Sequence, residues 1–328
     1  MTVQWLGDPL SISQSELKTW QDCNRRWYIA YYRQLGMPKA IGDTGALSLG
    51  TNIHYALELL YRNGVDPLET INKIYLDQID YISSDEVAVI DKESLLKKLR
   101  SEQDLAKAMI EGYLVWVQEE GIDADMEFIS AEEVIEVPSG IEGVKLRGKL
   151  DQRWRRLSDG AIIFRDWKTA QELTSPVKFL PMDTQMLTYA LLEHLKALAE
   201  ETAENPRPRT DGGLYSMLRK VKRTASAKPP FYGEIEVRFN KTSLKHHWIH
   251  VHKVLQDIVQ AHQALDNGGD HHWVAPPRPS KDCTWKCEFF AICPMFDDGS
   301  NVEGLLTEYY VPIDPYERYE RDEIKGEA

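Results

Sequence analysis

Two alternating stretches of sequence flank a short turn within residues 145–169, and this hairpin restricts the fold more than any other feature. The turn is a Ser-Asp-Gly run at 158–160, and the pattern is typical of two antiparallel strands. The first strand carries Asp151, and the second carries Asp166 and Lys168 near its end. Side chains two positions apart on a strand point to the same face. Asp166 and Lys168 therefore project together, and strand pairing brings Asp151 alongside them.

Two carboxylates and an ammonium group in one place suit the hydrolysis of phosphodiester bonds. The carboxylates can hold a hard divalent cation, and the lysine can position or deprotonate a water molecule. The Asp-x-Lys spacing is common by itself and gains weight from Asp151 on the preceding strand. A helix predicted at 183–203 follows, and Gln185 and Tyr189 lie one turn apart on it, hence on one face. Alone they are an ordinary polar pair, and their position after the hairpin makes them candidates for the same site.

Four cysteines form the second distinctive pattern. Cys283, Cys287 and Cys293 lie within eleven residues near the end of the chain, and Cys23 lies near its start. In an intracellular chain such a group indicates a metal more often than disulfides. Four thiolates suit a tetrahedral zinc ion, and they equally suit an iron–sulfur cluster. The residues alone do not choose between the two, and His271 and His272 are alternative ligands just upstream.

Periodicity predicts a chain of mixed helices and strands. We expect a helix within 11–34 that Ser13 caps, a helix at 48–63 that carries His54, and a helical lobe at 67–120. A lone histidine on a helix is more often structural than functional. Strands are expected at 126–138, in the hairpin, and at 213–219 and 231–239, with a helix at 241–266 and one further strand in the segment LLTEYYVP near the end.

Composition excludes several classes of protein. The chain has 328 residues, of which 42% are hydrophobic and 28% charged, which is ordinary for a soluble globular protein. There is no apolar run long enough to span a membrane and no signal-peptide pattern, so we expect a cytoplasmic protein with no membrane partner. The net charge of −13 argues against a uniformly basic DNA-coating protein. Local basic strips, such as seven Lys or Arg against one Asp within 207–228, can still contact phosphates.

Taken together, these motifs resemble the iron–sulfur RecB-like exonucleases of the PD-(D/E)XK superfamily, which include the AddB nuclease domain and the CRISPR adaptation-associated exonucleases. The resemblance begins with the pattern SxSxLxxWxxCxxRWYxxY, in which Cys23 matches the isolated first cluster ligand. It continues with a helical metal-binding histidine in GTNIHYAL, the acids of GKLD and DWK, the catalytic lysine, a QxxxY motif and the three terminal cysteines. Two departures are Leu150 in place of a proline before Asp151, and a Cys-x3-Cys spacing where Cys-x2-Cys is usual.

The resemblance implies a fold and a set of ligands. It implies an α/β fold with a restriction-endonuclease-like core, in which helices flank a central mixed sheet, together with a helical insertion and an iron–sulfur clasp that joins the N- and C-terminal segments. The implied divisions are 1–66, a helical lobe at 67–126, a nuclease core at 127–270, and a cluster segment with an acidic tail at 271–328. A [4Fe–4S] cluster is implied on the four cysteines. Mg²⁺ or Mn²⁺ is implied on His54, Asp151, Asp166 and the backbone carbonyl of Trp167, with Lys168 orienting water and with Gln185 and Tyr189 orienting Lys168 or the DNA backbone.

The implied activity is a DNA exonuclease that acts on single-stranded ends, which predicts a basic channel. The candidates for lining it are Arg25, Arg26, Arg153, Arg219, Lys220, Lys222 and Arg223. The implied partners are DNA, further copies of the chain, and proteins of recombination, repair or CRISPR adaptation. Two other hypotheses remain: a metal-stapled DNA-binding or assembly module whose nuclease centre is auxiliary, and a structure- or sequence-specific endonuclease with the same core.

Overall fold

The computed structural model of the protein describes residues 7–38, 46–84, 91–203, 206, 208–210 and 212–320. The end of the acidic tail, residues 321–328, lies outside this part. The chain forms two compact units. We call the first the terminal unit, which comprises Met1–Lys39, Val134–Gly148 and Lys245–Ala328, and the second the central unit, which comprises Ala40–Glu133 and Lys149–Leu244. Within the described residues, no helix is both long and apolar enough to cross a membrane.

The secondary structure alternates between helices and strands along the whole chain. In order, the elements are β1 (Leu10–Ser13), α1 (Gln14–Asp22), α2 (Asn24–Trp27), a π-helical turn (Tyr28–Tyr32), β2 (Leu35–Gly36), α3 (Ala46–Asn63), α4 (Pro67–Ser83), α5 (Lys92–Glu120), β3 (Met126–Pro138), β4 (Val144–Arg156), β5 (Ile162–Ala170), α6 (Thr174–Phe179), a 3₁₀ turn (Leu180–Met182), α7 (Thr184–Ala199), β6 (Gly212–Arg219), β7 (Tyr232–Arg238), α8 (Lys241–Asp266), α9 (His271–Val274), α10 (Cys283–Lys286), a 3₁₀ turn (Cys293–Phe296), α11 (Val302–Tyr309), β8 (Val311–Pro312) and α12 (Glu317–Glu320).

The central unit is built on a mixed sheet. The second part of β4 pairs antiparallel with β5, from Gln152 opposite Arg165 to Arg155 opposite Ile162, which confirms the predicted hairpin. Strand β5 then pairs in parallel with β6, and β6 pairs antiparallel with β7. The predicted mixed α/β fold, with helices that flank a central mixed sheet, is thereby confirmed.

The two faces of β5 meet different helices because successive side chains alternate across a strand. Trp167 is fully buried in a core shared with helices α3, α4 and α5, and its indole Nε1 donates to the Tyr113 hydroxyl at 3.2 Å. On the opposite face, Phe164 packs edge-on against Tyr189 of α7, with ring centroids 5.8 Å apart. Phe164 fits there because Gly213 lies opposite it on β6, where an added Cβ would fall within 2.4 Å of its ring. Asp166 and Lys168 share this second face.

In the terminal unit, a break between two helices lies at Cys23. Strand β1 pairs in parallel with Val144–Arg147 of β4, and the Ser13 hydroxyl caps α1 by accepting from the Glu16 amide at 3.1 Å, as predicted. Helix α1 ends at Cys23, whose backbone is extended, with φ −162° and ψ 118°. This single extended residue separates α1 from α2.

One predicted strand is wrong. The segment LLTEYYVP was expected to be extended, but most of it belongs to helix α11, and only Val311–Pro312 form a short strand paired with Leu35–Gly36. The helix is favoured by Asn301, whose side chain caps it by accepting from the Gly304 amide at 3.1 Å. Glu303 in the first turn adds a favourable charge at the positive end of the helix dipole.

Candidate functional site

The hairpin brings the two acids and the lysine together. Asp151 and Asp166 directly follow the Gln152–Arg165 pair in the antiparallel register, so they lie opposite each other on one face. Lys168 Nζ lies 2.6 Å from Asp166 Oδ2. The predicted common projection of these three side chains is therefore present in the structure.

Asp151 is held as a carboxylate by two neighbours. Its Oδ2 accepts from the backbone amide of Trp167 at 2.8 Å and lies 3.3 Å from His54 Nδ1. Burial alone would raise the pKa of Asp151, but the charge and hydrogen bond of His54 outweigh burial and hold that pKa at about 2. In the same way burial opposes a charge on His54, and the attraction of Asp151 raises the pKa of His54 above its ordinary value. Helix α3 thus positions His54 beside Asp151.

Asp166 has a different environment, although it lies beside Asp151. Its side chain is almost fully buried, and burial raises its pKa to about 6 against the attraction of Lys168. Burial also disfavours the ammonium form of Lys168, but the charges of Asp166 and Asp151 outweigh it and raise the pKa of Lys168 above its usual range. Two carboxylates packed this closely favour a nearby positive charge, which Lys168 and a bound cation can both supply.

Gln185 of the Gln185–Tyr189 pair donates a hydrogen bond to an acid of the hairpin. Asp183 caps α7 by accepting from the amides of Gln185 and Met186, which fixes the start of the helix beside β5. Gln185 Nε2 then donates to Asp166 Oδ1 at 3.2 Å and to the Tyr189 hydroxyl at 3.0 Å. The motif was expected to orient Lys168 or the DNA backbone, and the structure gives Asp166 as its hydrogen-bond partner.

One acid of this region was missed by sequence reasoning. Single oxygen or nitrogen atoms of His54, Glu132 and Asp151 all lie within 4.8 Å of one another. Glu132 lies in β3 and has a φ of 54°, in the left-handed region. No local pattern of the sequence pointed to it, because its neighbours in this group come from α3 and β4.

Two of the predicted DNA-binding arginines have structural partners instead. Arg153 is 9% exposed and its guanidinium pairs with Glu193 and Glu133. Arg25 is 2% exposed and makes a two-pronged pair with Asp297, at 2.7 and 2.8 Å. Neither presents a free charge to DNA, so both assignments are corrected. The local sequence gave no sign of these partners because each lies at least 20 residues away.

The other predicted basic residues lie nearer the surface. Arg26 pairs with Glu288 in the terminal unit, at 2.8 Å. In the central unit, Arg219 donates to the backbone carbonyl of Lys228, Lys222 pairs with Asp104, and Arg223 donates to the carbonyl of Gly112. Lys222 and Arg223 are exposed, whereas Arg219 and Lys220 are half-buried.

We expect the Arg153→Ala variant to lose stability rather than DNA affinity. Removing Arg153 leaves Glu193, 2% exposed, as an uncompensated buried charge, and breaking such a pair typically costs about 3–5 kcal/mol. Denaturant unfolding measures the loss, and the salt dependence of DNA binding is expected to keep its slope. The matched control is Arg155→Ala, two residues along β4, whose half-exposed pair with Glu127 is worth about 0–1 kcal/mol. A stable Arg153→Ala protein with a shallower salt slope would restore the original assignment.

The four cysteines line one cavity of about 600 Å³ within the terminal unit, and none forms a disulfide. Backbone amides point at two of the sulfur atoms: Arg278 N–H donates to Cys23 Sγ at 3.4 Å, and Ser280 N–H donates to Cys283 Sγ at 3.3 Å. Such donors are typical of thiolates that serve as metal ligands, because they stabilise negative charge on sulfur. The predicted meeting of Cys23 with the terminal cysteines is therefore present.

His271 and His272, the alternative ligands, lie with Asp270 in a group whose ligand atoms are all within 4.8 Å of one another.

Arg25 also fits a negatively charged group in this cavity. It lines the cavity, and its Nη1 lies 3.1 Å from the carbonyl oxygen of Cys293 and 3.9 Å from Cys293 Sγ. Its Nε is buried and, within the part of the chain that the structure describes, has no hydrogen-bond partner. An unsatisfied buried N–H is costly, and an anionic cluster beside it would supply an acceptor.

Comparison with known proteins matches this chain to one family model and to solved structures. The family model described as the PD-(D/E)XK nuclease superfamily matches residues 11–294. A solved structure described as "Crystal structure of SSO0001" is 16% identical, with a TM-score of 0.33, and the match covers 69% of this chain and 96% of that one. A search of curated proteins finds no match.

Proposed function

We propose that this chain, which belongs to the PD-(D/E)XK nuclease superfamily, is a metal-dependent DNA exonuclease that acts on single-stranded ends. The observation that carries the proposal is the convergence of Asp151, Asp166 and Lys168 on one face of the hairpin, with His54 beside Asp151. A protein that only binds DNA has no use for two adjacent carboxylates near phosphate, because without a cation they would repel it.

In this proposal His54, Asp151, Asp166 and the backbone carbonyl of Trp167 hold a divalent cation. The ion, when bound, polarises a phosphate oxygen and lowers the pKa of the attacking water. Carboxylates and a carbonyl suit Mg²⁺, and the imidazole favours Mn²⁺.

The surrounding residues keep these ligands in place. The Trp167 amide fixes Oδ2 of Asp151, and Gln185, itself hydrogen-bonded to Tyr189, fixes Oδ1 of Asp166. Supports of this kind are typical of metal sites, where partners of the ligands set ligand orientation. Lys168 is the group that orients the attacking water, because its ammonium lies on the same face as both acids.

The strand order supports a phosphate-binding role for part of the basic strip. Strand β6 runs parallel to β5, and Lys168 lies opposite Met217 while Ala170 lies opposite Arg219. Arg219 and Lys220 therefore leave the sheet at the same end as Lys168. We propose that these two, with exposed Lys222 and Arg223, contact the DNA backbone in the central unit. In the terminal unit Arg26 remains a proposal of the same kind.

The cysteine cavity is proposed to hold a [4Fe–4S] cluster with a structural role. The support is the convergence of the four cysteines on one cavity, the amides that point at Cys23 and Cys283, and the unsatisfied Nε of Arg25. A cluster there would tie the start of the chain to its end.

End-labelled single strands test the proposed activity. We expect progressive shortening of a linear strand in Mg²⁺ or Mn²⁺, from one labelled end, and no cut in a circular single strand. Discrete fragments from long duplex DNA, or cleavage of the circle, would identify an endonuclease instead. DNA binding without any cleavage would favour the assembly-module hypothesis.

A further inference from the structure

We propose that Glu132 is a further ligand of the divalent cation, so that His54 and three carboxylates hold the ion before DNA arrives. This inference rests on the proposed nuclease function and adds a residue to its metal site. The group of His54, Glu132 and Asp151 already has its ligand atoms within 4.8 Å of one another. Ligands about 2.1 Å from one ion lie at most about 4.2 Å apart, so small side-chain shifts close the group around it.

Glu132 and its neighbour Glu133 have different partners. Successive side chains of a strand point to opposite faces, and Glu132 also has a φ of 54°, in the left-handed region that residues other than glycine rarely adopt. Glu133 pairs with Arg153 and Lys196, whereas Glu132 turns to Lys149 and the His54–Asp151 pair.

The alternative is a purely structural role, in which Glu132 serves only to neutralise Lys149, whose Nζ lies 2.9 Å from it. The contacts of the site argue for more than that. Lys149 Nζ contacts Glu132, Lys168 Nζ contacts Asp166, and the His54 imidazole lies beside Asp151 and Glu132. Two carboxylates and an imidazole on one spot are the donor set of a divalent-cation site, whereas an ion pair with Lys149 needs neither His54 nor Asp151 beside it.

Three carboxylates and an imidazole would hold the ion without help from phosphate oxygens. Sites with one or two carboxylates usually complete their coordination with substrate phosphates. Glu132 would therefore let this chain bind its cation in the absence of DNA, and the Glu132→Gln variant should show the effect in metal binding alone.

Titration of Mn²⁺ into the full-length protein without DNA tests the inference, with affinity read by calorimetry and by the loss of the free-ion electron paramagnetic resonance signal. We expect Glu132→Gln to weaken Mn²⁺ binding at least about tenfold. Mutation of a residue that only hydrogen-bonds to a metal ligand already lowers metal affinity about 10–100-fold in typical sites. The matched control is Glu133→Gln, which removes the neighbouring carboxylate from Arg153 and should leave the affinity for Mn²⁺ unchanged. The Lys149→Met variant, which removes only the ion-pair partner, should keep or tighten Mn²⁺ binding.

Four outcomes would overturn parts of this account, and they are distinguishable. Wild-type affinity in Glu132→Gln, together with weakened binding in Asp151→Asn, would refute the role of Glu132 and leave the nuclease proposal standing. Equal weakening in Glu132→Gln and Glu133→Gln would show a distorted strand rather than a lost ligand. Failure of the wild-type protein itself to bind Mn²⁺ without DNA, with metal-dependent cleavage intact, would refute a cation site that fills before DNA arrives, whereas absence of cleavage in either metal would refute the proposed function.

Discussion

Replacing Lys168 with alanine is expected to lower the rate of DNA cleavage by about 10²–10⁴-fold, the usual contribution of a positioned proton-transfer or water-orienting group. The ammonium lies 2.6 Å from Asp166, and among the residues that the structure describes no second lysine shares that contact, so the variant has no substitute for it. We expect DNA affinity and Mn²⁺ binding to persist, because the carboxylates and His54 remain. Single-turnover cleavage of a labelled single strand measures the effect.

A second lysine variant serves as the control for general damage to the fold. Lys196 lies on α7 in the same unit and pairs with Glu133 and Glu200, away from the acids of the hairpin. The Lys196→Ala variant should cleave at the wild-type rate. If Lys168→Ala also cleaves at that rate, the assignment of the site to this face of the hairpin is wrong.

Replacing Cys287 with serine is expected to give a colourless and markedly less stable protein. A cluster bound by Cys23 and the terminal cysteines closes a loop of about 260 residues, and the chain-entropy relation for cross-links puts the stabilisation from such a loop at about 5 kcal/mol. Loss of a ligand releases that constraint and leaves Arg25 with an unsatisfied buried N–H.

The visible absorbance of anaerobically purified protein, its iron content and its melting temperature measure this effect together. Thr284→Ala is a suitable control, since Thr284 lies between two of the cysteines and its hydroxyl donates to the backbone carbonyl of Lys281 at 3.2 Å. It should keep both colour and stability. Full brown absorbance and an unchanged melting temperature in Cys287→Ser would refute the cluster-clasp proposal, and zinc in place of iron in the wild-type protein would refute the cluster.

The hairpin was predictable from sequence because its determinants are local. Alternation, a Ser-Asp-Gly turn and the two-residue spacing of Asp166 and Lys168 all act within residues 145–169, and the structure confirms the pairing. The contact between His54 and Asp151 joins residues almost a hundred positions apart, and only the resemblance of the whole motif set predicted it.

The wrong or missing site predictions arose from contacts between residues that are distant in sequence. Arg25 and Arg153 read as free basic residues because their partners, Asp297 and Glu193, are distant in sequence. Glu132 was overlooked because His54, Lys149 and Asp151 come beside it only through the packing of a helix and a neighbouring strand. The sequence motifs identified the types of residue in the site. Tertiary packing decided which of these residues face it.

Metal-dependent cleavage by the wild-type protein and by Asp151→Asn, purified side by side, tests the central claim most directly. The substrate is a single strand labelled at either end, and the reactions contain Mg²⁺, Mn²⁺ or a chelator. We predict that the wild-type protein shortens the strand with either ion, that the chelator stops it, and that Asp151→Asn is inactive under every condition. Absence of cleavage by the wild-type protein, or equal cleavage by both proteins, would contradict the account.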